Sequence, residues 1–219
     1  LLLVNKPDAT QTYFWIGSTG IHRTHPDRVA VWLVNTLFGG RFTSMLNDEL
    51  RVSGGLTYGA SSLLEQNRLT GALAITTYTR TDTTEKAIDL ALDILKRLRE
   101  RGITAEQLAS AKAYLKGTYP TERLETADQL ATVLGDLELY GLRRGEVDDL
   151  FSRIDAVTVE QANAAARRYF GPGALTFTLV GNAAKIREAV KKYAPETHEV
   201  PITAPGFPRQ TAAAGTGVR

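Results

Sequence analysis

Residues 39–62, GGRFTSMLNDELRVSGGLTYGASS, decide how the chain is read. From Ser44 to Leu50 the apolar residues Met45, Leu46 and Leu50 stand among polar ones at a helical rather than a strand period. Gly54 and Gly55 supply the backbone that ends a helix at little steric cost. From Leu56 the chain is β-favouring and bounded by glycine, which predicts a strand to about Leu64.

Two residues of this unit carry chemistry. Arg51 closes the predicted helix and Tyr58 lies just inside the predicted strand. A helix-to-strand reversal on paired glycines can bring both side chains to one spot. Arg offers a permanently charged fork of donors for a carboxylate or carbonyl oxygen, and Tyr a hydroxyl on a stiff arm. Equally, an Arg in a last helical turn complements the helix dipole, and a strand Tyr packs. The residue types alone leave both readings open.

Outward from this unit, Leu1–Val4 and Gln11–Gly17 read as strands. Thr24 is placed as a helix cap, with Pro26 in the first turn and an apolar face of Val29, Ala30, Leu33, Val34 and Leu37. On the other side Glu65-Gln66-Asn67 reads as a turn and Leu69–Tyr78 as a strand, so the two flanking strands pair antiparallel. Asp82 is placed as the cap of a helix whose face is Ile88, Leu92, Leu95 and Leu98, stopped by Gly102. The signal T-x-x-Q recurs at Thr104/Gln107, Thr126/Gln129 and Thr158/Gln161, each opening a helix. Gly171-Pro172-Gly173 breaks the last long helix, Ala174–Val180 is an apolar strand, and Asn182 caps a helix reaching about Tyr193. This order predicts α+β: a mostly antiparallel sheet with helices packed on one face. Residues 1–195 are expected to form one domain, and residues 196–219, rich in Pro, Gly, Ala and Thr, a flexible tail.

Composition narrows the function. A length of 219 residues with 43% hydrophobic content supports one sizeable core. Lys and Arg number 26 against 24 Asp and Glu, too balanced for a dedicated nucleic-acid binder. There is no cysteine for a disulfide or a thiolate metal site, and no apolar run long enough to span a membrane. The three histidines do not form a metal motif: His22 and His25 have the wrong spacing for a zinc pair, no glutamate between them and a place in a loop before a helix start, while His198 lies beside the tail. The adjacent acids Asp48-Glu49 and Asp148-Asp149 read as solvated surface.

The run LNDELR…GGLTYGASS, preceded by LFGGRFTS, resembles the second-half domain of the pitrilysin/insulinase-type zinc metallopeptidases, which include the mitochondrial processing peptidases. The similarity extends from LLLVNKPDATQT to ALTFTLVGN. The resemblance implies the same α+β fold, and it implies that Arg51 and Tyr58 hold the substrate backbone near the scissile bond. It also implies a half without zinc. Matching LVNTLFGG to the end of the zinc helix puts Val31, Val34 and Asn35 at the H, E and H positions of H-x-x-E-H, so no ligand or base survives. Accordingly no cofactor is expected in this chain. Zinc is expected in a partner domain or subunit bearing H-x-x-E-H, with a peptide as substrate and no nucleic acid. The opening LLLV starts mid-strand, and the chain is expected to be a piece with the family's first-half domain upstream. The alternative is a scaffold domain that kept the fold and lost the peptidase role.

Overall fold

The structure is a computed structural model and describes residues 1–171, 173–204 and 206. Among the described residues one sheet forms from β1 (Leu2–Asn5), β2 (Gln11–Gly20), β3 (Ala60–Gln66), β4 (Gly71–Arg80), β5 (Thr176–Gly181) and β6 (His198–Pro201). The strand order is β3-β4-β2-β5-β1-β6. The row from β3 to β5 is antiparallel, and β1 runs parallel to both β5 and β6. The expected mostly antiparallel α+β architecture is what the chain adopts.

Burial along β2 explains why the helices lie on one face. Thr12, Phe14 and Ile16 are buried, whereas Tyr13 and Trp15 between them are half exposed, the period-two split of a sheet covered on one side. Against the covered face lie α1 (Arg28–Asn35), α2 (Met45–Asn47), α3 (Thr84–Arg101), α4 (Ala105–Arg123), α5 (Ala127–Tyr140), α6 (Gly145–Asp148), α7 (Leu150–Ala156), α8 (Val159–Tyr169) and α9 (Ala183–Val190), several of them packed on one another rather than on the sheet. Phe14, Phe38, Phe170, Leu33, Ile88 and Ile154 are fully enclosed. Each such side chain contributes about 1.5–3 kcal/mol of burial. Phe38 and Phe170 meet edge to face at 5.7 Å. None of the described helices is long and apolar enough to cross a membrane.

Local signals held where both partners are neighbours. Thr104, Thr126 and Thr158 each accept from the backbone N–H of the glutamine three residues on, and each glutamine returns the bond. Two expected caps are corrected. α1 begins at Arg28, because Thr24 is engaged with His22 at 3.0 Å while His22–Arg28 forms a turn of its own. Asp82 pairs with Arg80 at 3.2 Å and sits in a 3₁₀ turn, Thr81–Thr83, ahead of α3. On α3 the inner face is Ala87, Ile88, Ala91, Ile94, Leu95 and Leu98, and Leu92 is only partly buried.

Past residue 195 the structure differs from the expected tail. His198–Pro201 is a strand at the sheet edge, paired with β1, and Arg187 holds its Glu199 in a two-pronged ion pair at 2.7 and 2.9 Å. That guanidinium keeps the Glu199 carboxyl below the usual carboxylate range. The rest of the expected tail, residues 205 and 207–219, lies outside the described residues, as does Pro172 of the Gly-Pro-Gly break.

Candidate functional site

Residues 36–59 build the site. α1 loosens after Asn35 into a π-helical turn, Thr36–Gly40, which ends on the expected glycines and packs against β3. A Cβ on Gly39 would lie 2.4 Å from the Ser62 backbone nitrogen, so only glycine admits this approach. Ser44 then caps α2 through the Asn47 N–H, and α2 also loosens into a π-helical stretch, Asp48–Ser53, which carries Arg51. Glu49, expected to be solvated, instead pairs with Arg97 and ties this stretch to α3.

Tyr58 is corrected. The predicted strand from Leu56 starts at Ala60, and Tyr58 sits in the loop before it, 76% exposed. Gly55, with φ +58°, turns the chain out of the helix, and the Leu56 N–H reaches back to the Leu50 carbonyl. Leu50 and Leu56 are both buried and pin the two ends of the reversal. Two threonines of β4 take the loop over. Thr79 Oγ1 donates to the Leu56 carbonyl at 2.6 Å, and Thr77 Oγ1 to the Gly59 carbonyl at 2.8 Å. Bonded to the sheet at both ends, the loop leaves only the Tyr58 side chain outside.

The reversal does bring Arg51 and Tyr58 together. The Arg51 guanidinium carbon is 4.7 Å from the Tyr58 ring centroid and 4.7 Å from that of Phe42. The cation lies over two exposed rings, a contact worth about 0.5–1 kcal/mol per ring at a surface. Among the described residues neither the guanidinium nor the Tyr58 hydroxyl makes a hydrogen bond or ion pair. Phe42 was missed by the sequence reading. Its position depends on Asn47, buried, whose Nδ2 donates to the Phe42 carbonyl at 2.8 Å while its Oδ1 accepts from the Ala60 N–H at 3.2 Å. The one local hint was a polar residue, Asn47, on the inward side of a predicted helix.

Metal chemistry finds no donors here. Val31 and Val34 are buried in the core, and Asn35 is committed to Ser62 Oγ at 2.6 Å. His22 and His25 lie 5.2 Å apart in the loop before α1, and His25 packs edge-on against Tyr169 rather than standing in solvent. Among the described residues no three His, Asp or Glu side chains gather as a cation site.

Comparison with known proteins agrees with this fold. The sequence profile described as "Peptidase M16 inactive domain" matches residues 2–115. A protein of Mycobacterium leprae named an uncharacterized zinc protease is 32% identical over 168 residues, 76% of this chain and 37% of that protein. A Helicobacter pylori protein named non-peptidase homolog YmxG is 26% identical, over 68% of this chain and 34% of its own length. The chain therefore spans little more than a third of either relative. Among solved structures, the peptidase M16 inactive domain from Pseudomonas fluorescens superposes with a TM-score of 0.74 at 28% identity, covering 82% of this chain and 42% of that one. A sheet with helices on one face, an Arg–Tyr pair at its loop end and no metal donors on α1 are thus features of a chain that belongs to the peptidase M16 family, of the inactive-domain type.

Proposed function

We propose that this chain is the zinc-free, substrate-holding half of an M16-type metallopeptidase. It would face an H-x-x-E-H domain or subunit across a chamber that takes an extended peptide. The observation carrying this reading is the Arg51 stack. The guanidinium lies against two exposed rings and its N–H donors have no partner among the described residues, so the fork is open to a carbonyl or carboxylate oxygen. A charge held this way has lost rotamer freedom before any substrate arrives. Arg51 would bind a substrate carbonyl, and the Tyr58 hydroxyl would donate to the oxygen that gains charge as water attacks. The zinc-activated water would come from the facing half.

The uncovered sheet face supports pairing. Tyr13 and Trp15 are 52% and 50% exposed there, and Tyr13 stacks on Tyr78 at 5.0 Å. Adjoining aromatics left half bare on a flat sheet favour a surface that another domain covers.

A scaffold role is the second reading. One observation favours it: Phe42 and Tyr58 already pack against Arg51, so the cluster is also a self-contained packing unit. Complementation separates the two. The chain alone should cleave no peptide, and adding its zinc-bearing counterpart should produce activity. A counterpart fully active without this chain would leave the scaffold reading standing.

A further inference from the structure

A cavity of about 410 Å³ is bounded by α1, α4, α5, α6, the first residue of α7 and β3. Arg51, Phe42 and Tyr58 do not line it. Asn35 does, the residue that the expected register aligns with the second histidine of H-x-x-E-H.

Its walls are of two kinds. One is aromatic and aliphatic, with Trp32, Tyr119 and Leu137 among the lining residues; Trp32 and Tyr119 meet edge to face at 6.1 Å. The other is cationic, carrying Arg23, Arg28 and Arg123. Arg28 is buried and paired with Glu146, which Arg153 also holds at 2.8 Å. Burial and the nearby Arg23 and Arg153 push the Arg28 guanidinium down to about 10, so positive charge is concentrated at this spot. Arg23 lies over the Tyr140 ring at 5.9 Å, and among the described residues neither it nor Arg123 has an ion-pair partner. The lining carries three guanidiniums and two carboxylates, Asp136 and Glu146, and Glu146 is shared with Arg153, so the site is net positive.

We infer that this cavity binds a monocarboxylate carried on an apolar body. The net positive lining suits an anion, the guanidinium fork suits a carboxylate, and the aromatic wall takes the body. The site needs neither a zinc-bearing partner nor Arg51 and Tyr58, so its test is independent of the proposed function.

Trp32 is a built-in reporter. Only two tryptophans exist, and Trp15→Phe on the open sheet face leaves Trp32 alone. The Trp15→Phe chain is titrated at low salt with N-acetylphenylalanine, with its neutral amide, and with inorganic phosphate, following Trp32 fluorescence. The acid should give a saturable change, with the amide and phosphate each at least about tenfold weaker. Arg23→Gln and Arg123→Gln, both on side chains accessible to solvent, should each weaken the acid about tenfold, the loss of one charge-assisted bond. Circular dichroism checks that both variants fold. Equal binding of acid and amide, tighter binding of phosphate, no saturable response, or unchanged affinity in both folded Arg variants would each overturn the inference.

Discussion

The Arg51 guanidinium sits 4.7 Å from the centroid of the Tyr58 ring, and Tyr58 reaches that position from a loop rather than from a strand. Exposure leaves the Tyr58 hydroxyl and the Arg51 guanidinium open to a ligand, so the pair can be tested as a chemical site.

In the assembled enzyme Tyr58→Phe removes one hydroxyl and keeps the ring over Arg51. If the hydroxyl donates to the developing oxyanion, kcat should fall on the order of 10²–10³-fold. Arg51→Lys keeps the charge but loses the planar fork and should also be impaired. Steady-state kinetics decide, and a folded Tyr58→Phe enzyme with normal turnover returns both residues to packing.

Asn47 should behave as a positioning residue. Asn47→Ala leaves the Phe42 carbonyl and the Ala60 N–H without their shared partner, at a cost of about 1–3 kcal/mol per group left unsatisfied. Chemical denaturation should show that loss. Peptide KM should rise as Phe42 drifts from Arg51, and an unchanged KM would mean the stack holds without it.

Gly39→Ala tests the close approach of the π-helical turn to β3. The added methyl meets the Ser62 nitrogen, a backbone atom that cannot rotate away. A loss of about 1–3 kcal/mol, typical of overpacking, is expected in a denaturant melt. A neutral outcome would show that the turn can lift from the strand at no cost.

Alkaline stability should depend on Tyr169. Its hydroxyl donates to Asp27 at 2.5 Å, and burial together with that bond pushes its pKa up to about 12 from 10.0. A pKa raised on folding means stability that is whole below the unfolded value and lost as pH rises through the folded one. Tyr169→Phe should therefore be less stable than the parent at about pH 8, with the gap closing between about pH 10 and pH 12. A gap that stays constant over that range would remove Tyr169 from the pH response.

How much was legible follows from where each partner lies. The three T-x-x-Q caps could be read because donor and acceptor are three residues apart. The caps at Thr24 and Asp82 failed under the same rule, because His22 and Arg80 offered those side chains other partners. The strand at His198–Pro201 left no mark in a four-residue run ending in proline, since its pairing is with β1 at the other end of the chain. Arg51 and Tyr58 were singled out by residue type and place, and a family resemblance gave them their role. Phe42 was not, because nothing local ties it to either.

By itself the sequence determined the succession of helix, glycine break and strand, the alternation that leaves one face of β2 bare, and the loss of imidazole and carboxylate from α1. These are properties of neighbouring residues and their periods. Only the tertiary structure decided that Tyr58 stands on a loop and meets Arg51. The bonds that hold that loop come from Thr77 and Thr79, on a strand 18 and 23 residues further along the chain. A partner that distant enters the local conformation only after the sheet has closed, and no period or cap signal within the loop encodes it.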